Sequence, residues 1–270
     1  MAFKQNLQKE LKLPFALAEK LPAGYQLLGS ICILNLRPEL KKAEKKIALA
    51  VLKTVPQAKT VLVKTSGVKG EMRTPQLKFL AGKRNFTAWH KENNCVFEFD
   101  VRKSMWAQGN MSERQREISE AKKGEKVLDL FAGMGDWSIP LAKKGSVVTA
   151  VEAEKETFEA LEKNCRSNKT KINCIFGNAE NVSLPEKFDK ILMGWLPAPF
   201  FAFENALKHA KRGARIYFHC TARKGEAETH FEQLKEIAHA CKRKIALEKV
   251  VEVKSYAPFV FHYVLEVKAE

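Results

Sequence analysis

Asp129, Phe131, Gly133 and Gly135 make a D-x-F-x-G-x-G run within "DLFAGMGDWSIP" (129–140), at the end of the apolar segment "EKVLDL". A glycine-rich turn between a strand and a helix lets backbone approach a bound cofactor closely. The dinucleotide form would read G-x-G-x-x-G and hold a pyrophosphate at the helix N-terminus. Here no third glycine follows, and Asp136 puts a negative charge where that phosphate would lie. A donor with a cationic centre and no phosphate suits the turn better. S-adenosylmethionine is such a donor, and its ammonium group can face an acid at the strand end, Asp129. Glu152 ends "SVVTAVE", where one carboxylate can accept both ribose hydroxyls. Asn178 in "FGNAE" follows the next strand; its side-chain oxygen can accept from an adenine amino group, with the Ala179 N–H serving the ring nitrogen. Glu152 alone also fits a nicotinamide cofactor, and each residue alone reads equally as a strand-end acid or a turn former. In this order they favour an adenosyl cofactor.

The elements that must position these residues alternate. "KVLDLF", "SVVTAVE", "INCIF", "KILMGW" and "ARIYFH" read as strands, separated by helix-like runs such as "KETFEALEKNCRSN" and "PFFAFENALKHAKR". Alternation of this length predicts a parallel sheet with helices on both faces. "LEKVVEVKSYAPFVFHYVLEVK" then reads as two strands joined by a turn, hence antiparallel. Five parallel strands and a final hairpin are the arrangement of class I S-adenosylmethionine-dependent, Rossmann-like transferases. A helix is expected over 112–123, capped by Ser112 with Gln115 at the capping-box position. Upstream, residues 1–20 form a lead-in segment and 21–93 a small α/β domain, with an amphipathic helix over 38–55 that places Ile47, Val51 and Leu52 on one side. The transferase domain is expected over 94–270.

Charge is uneven. Between Arg37 and Lys91 there are 14 Lys and Arg against three Glu, whereas from Glu92 onward 29 basic residues nearly balance 26 acidic ones. A local excess of this kind suits phosphate neutralisation on one face, which points to nucleic acid. The six cysteines show no C-x-x-C spacing, which argues against a structural zinc and against a redox dithiol. No apolar stretch approaches the roughly 20 residues of a membrane span, and "MAFKQNLQKE" lacks a signal peptide's apolar centre, so a cytoplasmic protein is expected.

The chain resembles the archaeal and eukaryotic transferases that modify the purine immediately 3′ of the anticodon in phenylalanine tRNA. The resemblance runs from about Leu21 onward and is carried by "LRPEL" (36–40), "GVKGEMRTP" (67–75), "HKEN" (90–93), "FDVRKSMWAQGNMSER" (99–114), "DLFAGMGDWSIP", "KILMGW" (190–195) and "KSYAPFVFHYVLEV" (254–267). Two branches of that family differ at the end of the fourth parallel strand. The guanine-N1 methyltransferases carry Asn-Leu-Pro there. Met193-Gly194-Trp195 is similar instead to the wybutosine-synthesising aminocarboxypropyl transferases, as are "HCT" (219–221) and the "SYAP" hairpin, although Leu196-Pro197 echoes the methyl branch.

The resemblance implies transfer of the 3-amino-3-carboxypropyl group of S-adenosylmethionine to 4-demethylwyosine in tRNA-Phe, releasing methylthioadenosine. Its alternatives are methyl transfer to guanine at the same position and a non-catalytic tRNA-binding protein with a vestigial cofactor site. It further implies cofactor contacts from Ala107, Arg114, Phe131, Ala132, Gly133, Gly135 and Gly194 beside Asp129, Glu152, Asn178 and Ala179. The family's Phe-Ser-Pro is Trp106-Ala107-Gln108 here, and its Asp-Asn pair is Asn178-Ala179, so a serine contact is lost. Trp195 is the expected surface for the acceptor base and His219 a candidate to take its proton. Lys41, Lys42, Lys45, Lys46, Lys64, Lys69, Arg73, Lys83, Arg84 and Lys91 would follow phosphates of the anticodon stem-loop. The expected protein is a monomer that holds no metal and binds no membrane.

Overall fold

The computed structural model describes residues 2–67 and 74–270 and divides into two compact units, Met1–Glu92 with Val96–Trp106, and Asn93–Cys95 with Ala107–Glu270. In the first unit, helices α1 (Phe3–Glu10) and α2 (Phe15–Ala18) precede strands β1 (Gln26–Leu28) and β2 (Ile31–Leu34). The expected 38–55 helix starts as a 3-10 turn, Pro38–Ala43, and continues as α3 (Glu44–Thr54). Pro38 suits that first turn because its missing N–H would be unpaired there anyway. β3 (Thr60–Lys64) and β4 (Leu77–Gly82) complete a sheet in the order β1-β2-β3-β4. Because α3 crosses between β2 and β3, those strands run parallel. Ile47, Ala48 and Val51 of α3 are buried with Cys32, Leu34, Val61 and Val63 of the two strands. A separate hairpin joins β5 (Thr87–Glu92) to β6 (Cys95–Asp100) through Asn93 and Asn94, both at positive φ, which asparagine tolerates better than most residues. Trp106 packs on Phe97, Phe99 and His90 in the core of this unit.

The second unit opens with α4 (Met111–Ser119), followed by β7 (Lys126–Asp129), α5 (Ser138–Lys143), β8 (Val147–Glu152), α6 (Lys155–Ser167), β9 (Asn173–Phe176), β10 (Phe188–Met193), α7 (Phe203–His209), β11 (Ala210–Arg223), α8 (Glu228–Ala240), β12 (Ile245–Ala257) and β13 (Val260–Ala269). Its sheet has the order β12-β13-β11-β10-β7-β8-β9. β7 to β11 are mutually parallel, and β13 lies antiparallel between β11 and β12. This is the five-strand sheet with a terminal hairpin that the alternation predicts. Successive residues of a strand face opposite layers. Phe218 and Cys220 of β11 therefore join Ile191, Met193 and α7–α8 in one core, while Tyr217 meets Ile118, Trp137 and Leu141 in the other.

Two expectations about element ends are corrected. Ser112 makes no capping bond, because a 3-10 turn over Gln108–Asn110 runs straight into α4 and places Ser112 inside the first turn; the helix then stops at Ser119. The helix ending in "HAKR" stops at His209, and Ala210 already pairs with Phe188 on β10. An irregularity separates that pair from the next, Lys190 with Arg215, and Gly213 at φ 83° supplies the left-handed turn within it. No helix among the described residues is long and apolar enough to cross a membrane.

Candidate functional site

Strands β10, β7, β8 and β9 are neighbours, and all four end on one rim of the sheet. Gly194, Asp129, Glu152 and Asn178 lie at or just beyond those four ends. Chain order reverses between β7 and β10: β8 and β9 extend the sheet one way, β10 and β11 the other. Ligands of open α/β sheets sit in the crevice at such a reversal, outside the carboxyl ends of the strands.

The glycine turn follows β7 at that reversal. Gly133 and Gly135 adopt φ 56° and 95°, and a Cβ on Gly135 would lie 2.6 Å from Ile139 Cδ1 and 3.0 Å from Leu161 Cδ1. Conformation and space both require glycine there. The turn is tied across to β8: Ala132 N–H donates to the Val151 carbonyl at 2.9 Å, and Gly133 N–H to Glu152 Oε2 at 2.9 Å. Glu152 Oε1 accepts from Glu154 N–H at 2.8 Å. Both oxygens of Glu152 thus hold backbone donors, and the carboxylate, with about four acceptor positions, keeps capacity for a ribose hydroxyl. Burial raises the Glu152 carboxyl above its ordinary range. Glu154 in turn caps α6, accepting from Glu156 and Thr157 N–H.

Asp129 is buried, accepting from Ser138 Oγ at 2.7 Å and Phe131 N–H at 3.2 Å. Burial, aided by the charge of Asp136, pushes its pKa up to about 7 against the pull of those hydrogen bonds. A cationic ammonium group binds the ionised form. Affinity for S-adenosylmethionine should therefore rise about tenfold between about pH 5.5 and 7, and fall above about pH 8, where the donor's own α-amino group loses its proton. Methylthioadenosine lacks that group and should show no rise. Calorimetry of both ligands across this range checks the assignment; parallel profiles would remove Asp129 from contact with the ammonium.

Aromatic surface adjoins the turn. The Phe131 ring lies 5.6 Å from Trp195 and 5.9 Å, edge-on, from Phe201, which is exposed. Gly194 is open, with no atom within 4 Å of where its side chain would start. Asn178 Oδ1 already accepts from Glu180 N–H at 2.9 Å and has one lone pair left. Ala179 is buried, its carbonyl held by Asn205.

Two further predicted residues, Arg114 and His219, are buried. Arg114 is fully buried, donating to the Ala107 carbonyl and to Asp136 Oδ2, both at 3.2 Å, with its guanidinium over the Trp137 ring. It thereby links the segment before α4 to the glycine turn. His219 is 2% exposed. Its Nδ1 lies 3.0 Å from His262 Nε2 and its Nε2 3.6 Å from Glu117 Oε1, with the Trp137 ring edge-on. Both ring nitrogens thus face protein groups. Burial raises the neighbouring Glu117 carboxyl. Sequence reading missed Glu117 and His262. The available signal was the inward stripe of α4, where Glu113, Arg114 and Glu117 recur at helical spacing with Ile118.

In the first unit, Lys41 and Lys42 sit on the 3-10 turn, Lys45 and Lys46 on the first turn of α3, Lys64 at the end of β3, Lys83 and Arg84 after β4 and Lys91 on β5. All eight are exposed, and none is in an ion pair with a described residue. Lys69 and Arg73 lie outside the described residues. No group of three or more His, Cys, Asp or Glu able to hold a metal occurs among the described residues.

Residues 88–246 match the TRM5/TYW2 methyltransferase domain, and residues 3–85 the TYW2 N-terminal domain. The tRNA(Phe) (4-demethylwyosine(37)-C(7)) aminocarboxypropyltransferase of Methanocaldococcus jannaschii is 35% identical over 250 residues, 91% of this chain and 98% of that protein. Among solved structures, Pyrococcus horikoshii TYW2 in complex with MeSAdo superposes with a TM-score of 0.85 at 31% identity over 99% of both chains. Wild-type Trm5b from Pyrococcus abyssi superposes with a TM-score of 0.87 at 28% identity, covering 98% of this chain and 80% of that one.

Proposed function

The chain belongs to the TRM5/TYW2 family, and from that premise we propose that it transfers the 3-amino-3-carboxypropyl group of S-adenosylmethionine to C7 of 4-demethylwyosine, beside the anticodon of tRNA-Phe. The observation that carries this reading is the end of β10. Met193-Gly194-Trp195 stands there in place of the methyl branch's Asn-Leu-Pro, and Gly194 leaves open space beside Asp129's strand. A relative's structure holding MeSAdo (methylthioadenosine), the leaving group of this reaction, supports it.

The residues present fit the donor. Glu152 keeps lone pairs for a diol, Asp129 offers an acid for an ammonium, and Gly135 gives a turn that any side chain would block. When bound, the donor supplies a sulfonium that activates all three attached carbons and leaves as a neutral thioether. The protein's task is then to choose which carbon faces the acceptor. Asp129 holds the amino-acid end, Glu152 the ribose, and Asn178 with Ala179 the adenine. Gly194 gives the methionine chain room to turn outward, and Phe131, Trp195 and Phe201 offer a surface on which an unstacked base can lie. Orientation of this kind supplies most of the rate acceleration, because a neutral leaving group needs no acid. We assign the exposed cations of residues 21–93 to the phosphates of the anticodon stem-loop.

A second reading, methyl transfer to guanine, is favoured by Leu196-Pro197 and by the likeness to Trm5b. One incubation separates the readings. With precursor-bearing tRNA and S-adenosylmethionine labelled in its carboxyl carbon, label should enter the RNA and methylthioadenosine should accumulate. S-adenosylhomocysteine with unlabelled RNA would establish methyl transfer, and neither product would point to a vestigial site.

A further inference from the structure

Cys165 on the last turn of α6 and Cys174, the second residue of β9, bring their sulfurs to 3.8 Å, although the sequence offers no C-x-x-C spacing. The chain returns from helix to edge strand in a short loop, and that return makes the pair. Cys165 is buried while Cys174 is half-buried, so the pair lies near the surface at the Cys174 side. The hydrogen bond from Cys174 holds the Cys165 thiol below its usual range, with Thr170 and Arg166 acting the same way, and correspondingly makes Cys174 hard to ionise. Thiolate character is what makes a cysteine reactive. Cys32 and Cys220, pushed up to about 12 by burial, have none.

We propose that Cys165 and Cys174 are an oxidisable dithiol, closed by a peroxide into a disulfide that clamps α6 onto β9. The peroxide oxidises one thiol to a sulfenic acid, and its reduced oxygen leaves as water. The second thiol attacks that sulfur, the S–S bond forms, and a second water carries away the hydroxyl and the remaining proton. Two electrons pass from the sulfurs to the peroxide, and a dithiol reductant reverses the change. About 2 Å of travel, shared by two side chains, brings the sulfurs to bonding distance. Among the described residues β9 is an edge strand paired with β8 alone, so a covalent tie to α6 secures a margin of this sheet. α6 starts three residues after Glu152, and β9 leads into Asn178. The bridge therefore joins the far ends of the two elements whose near ends carry the ribose-facing and adenine-facing residues.

The test treats the full chain with an equivalent of hydrogen peroxide, alkylates the remaining thiols and measures intact mass and peptides. The wild type should lose two hydrogens and two alkylation sites, and yield a Cys165–Cys174 linked peptide that dithiothreitol dissolves. Its melting temperature should rise by about 5 °C, as expected for closing a short loop. Cys174→Ser should show neither change. Alkylation of both cysteines after peroxide, sulfinic acid at either one, or a link involving Cys241 instead would overturn the proposal. The thiol count on the wild type decides the matter even should the variant fail to fold.

Discussion

Raising the salt from about 50 to about 200 mM should weaken tRNA binding by on the order of a thousandfold. The basis is the group of eight exposed cations on the first unit, none of which is neutralised by a described carboxylate. Each one that meets a phosphate releases condensed counterions, and the logarithm of affinity then falls by roughly 0.7 to 0.9 per contact for each decade of salt. About six contacts give the stated loss. Filter binding or fluorescence anisotropy across that range measures the slope directly. Replacing Lys45 and Lys46 by glutamine should lower it by nearly two. Lys78→Gln is the internal control, because that lysine already pairs with Glu44 and has no charge to spare for RNA. An affinity indifferent to salt, or equal effects at Lys45 and Lys78, would remove these cations from RNA binding.

Glu152→Ala should weaken S-adenosylmethionine binding by about a hundredfold. Two hydrogen bonds from ribose hydroxyls to an ionised carboxylate are each worth about 1.5 kcal/mol or more, and every 1.4 kcal/mol is a factor of ten. The substitution also frees the N–H groups of Gly133 and Glu154, loosening the turn over the cofactor. Glu152→Gln should fall between, since one amide oxygen remains to accept. Adenosine, which shares the ribose, should lose affinity in parallel, whereas the salt slope for tRNA should not move. If calorimetry found Glu152→Ala within threefold of wild type for both ligands, the ribose would have to lie elsewhere.

What the sequence makes legible is what short-range pattern encodes. Alternating apolar runs give the strands, and the acids at their ends, Asp129 and Glu152, fall on the rim because strand and turn are contiguous in the chain. The burial of Arg114, Glu117 and His219 is different in kind. It depends on α4 lying against strands from the far end of the chain, as the contact of Arg116 with Glu266 at 2.5 Å makes plain. No local pattern announces that partner. The proximity of Cys165 and Cys174 likewise arises from a helix folding back on its neighbour. Ser112 shows the reverse error: a good capping sequence is overruled when the preceding residues already turn helically. At β11 a strand begins inside an apparent helix because Phe188 offers Ala210 a partner, a preference set by tertiary pairing.

The position of β13 has a consequence for how this unit is made. β13 occupies an interior slot between β11 and β12, both of which precede it in sequence. A ribosome must release residues up to Ala269 before β12 acquires a neighbour, so the sheet is completed from within and not by addition at its margin. Loss of Val260–Ala269 would remove an interior strand and leave β12 without the partner it pairs with here.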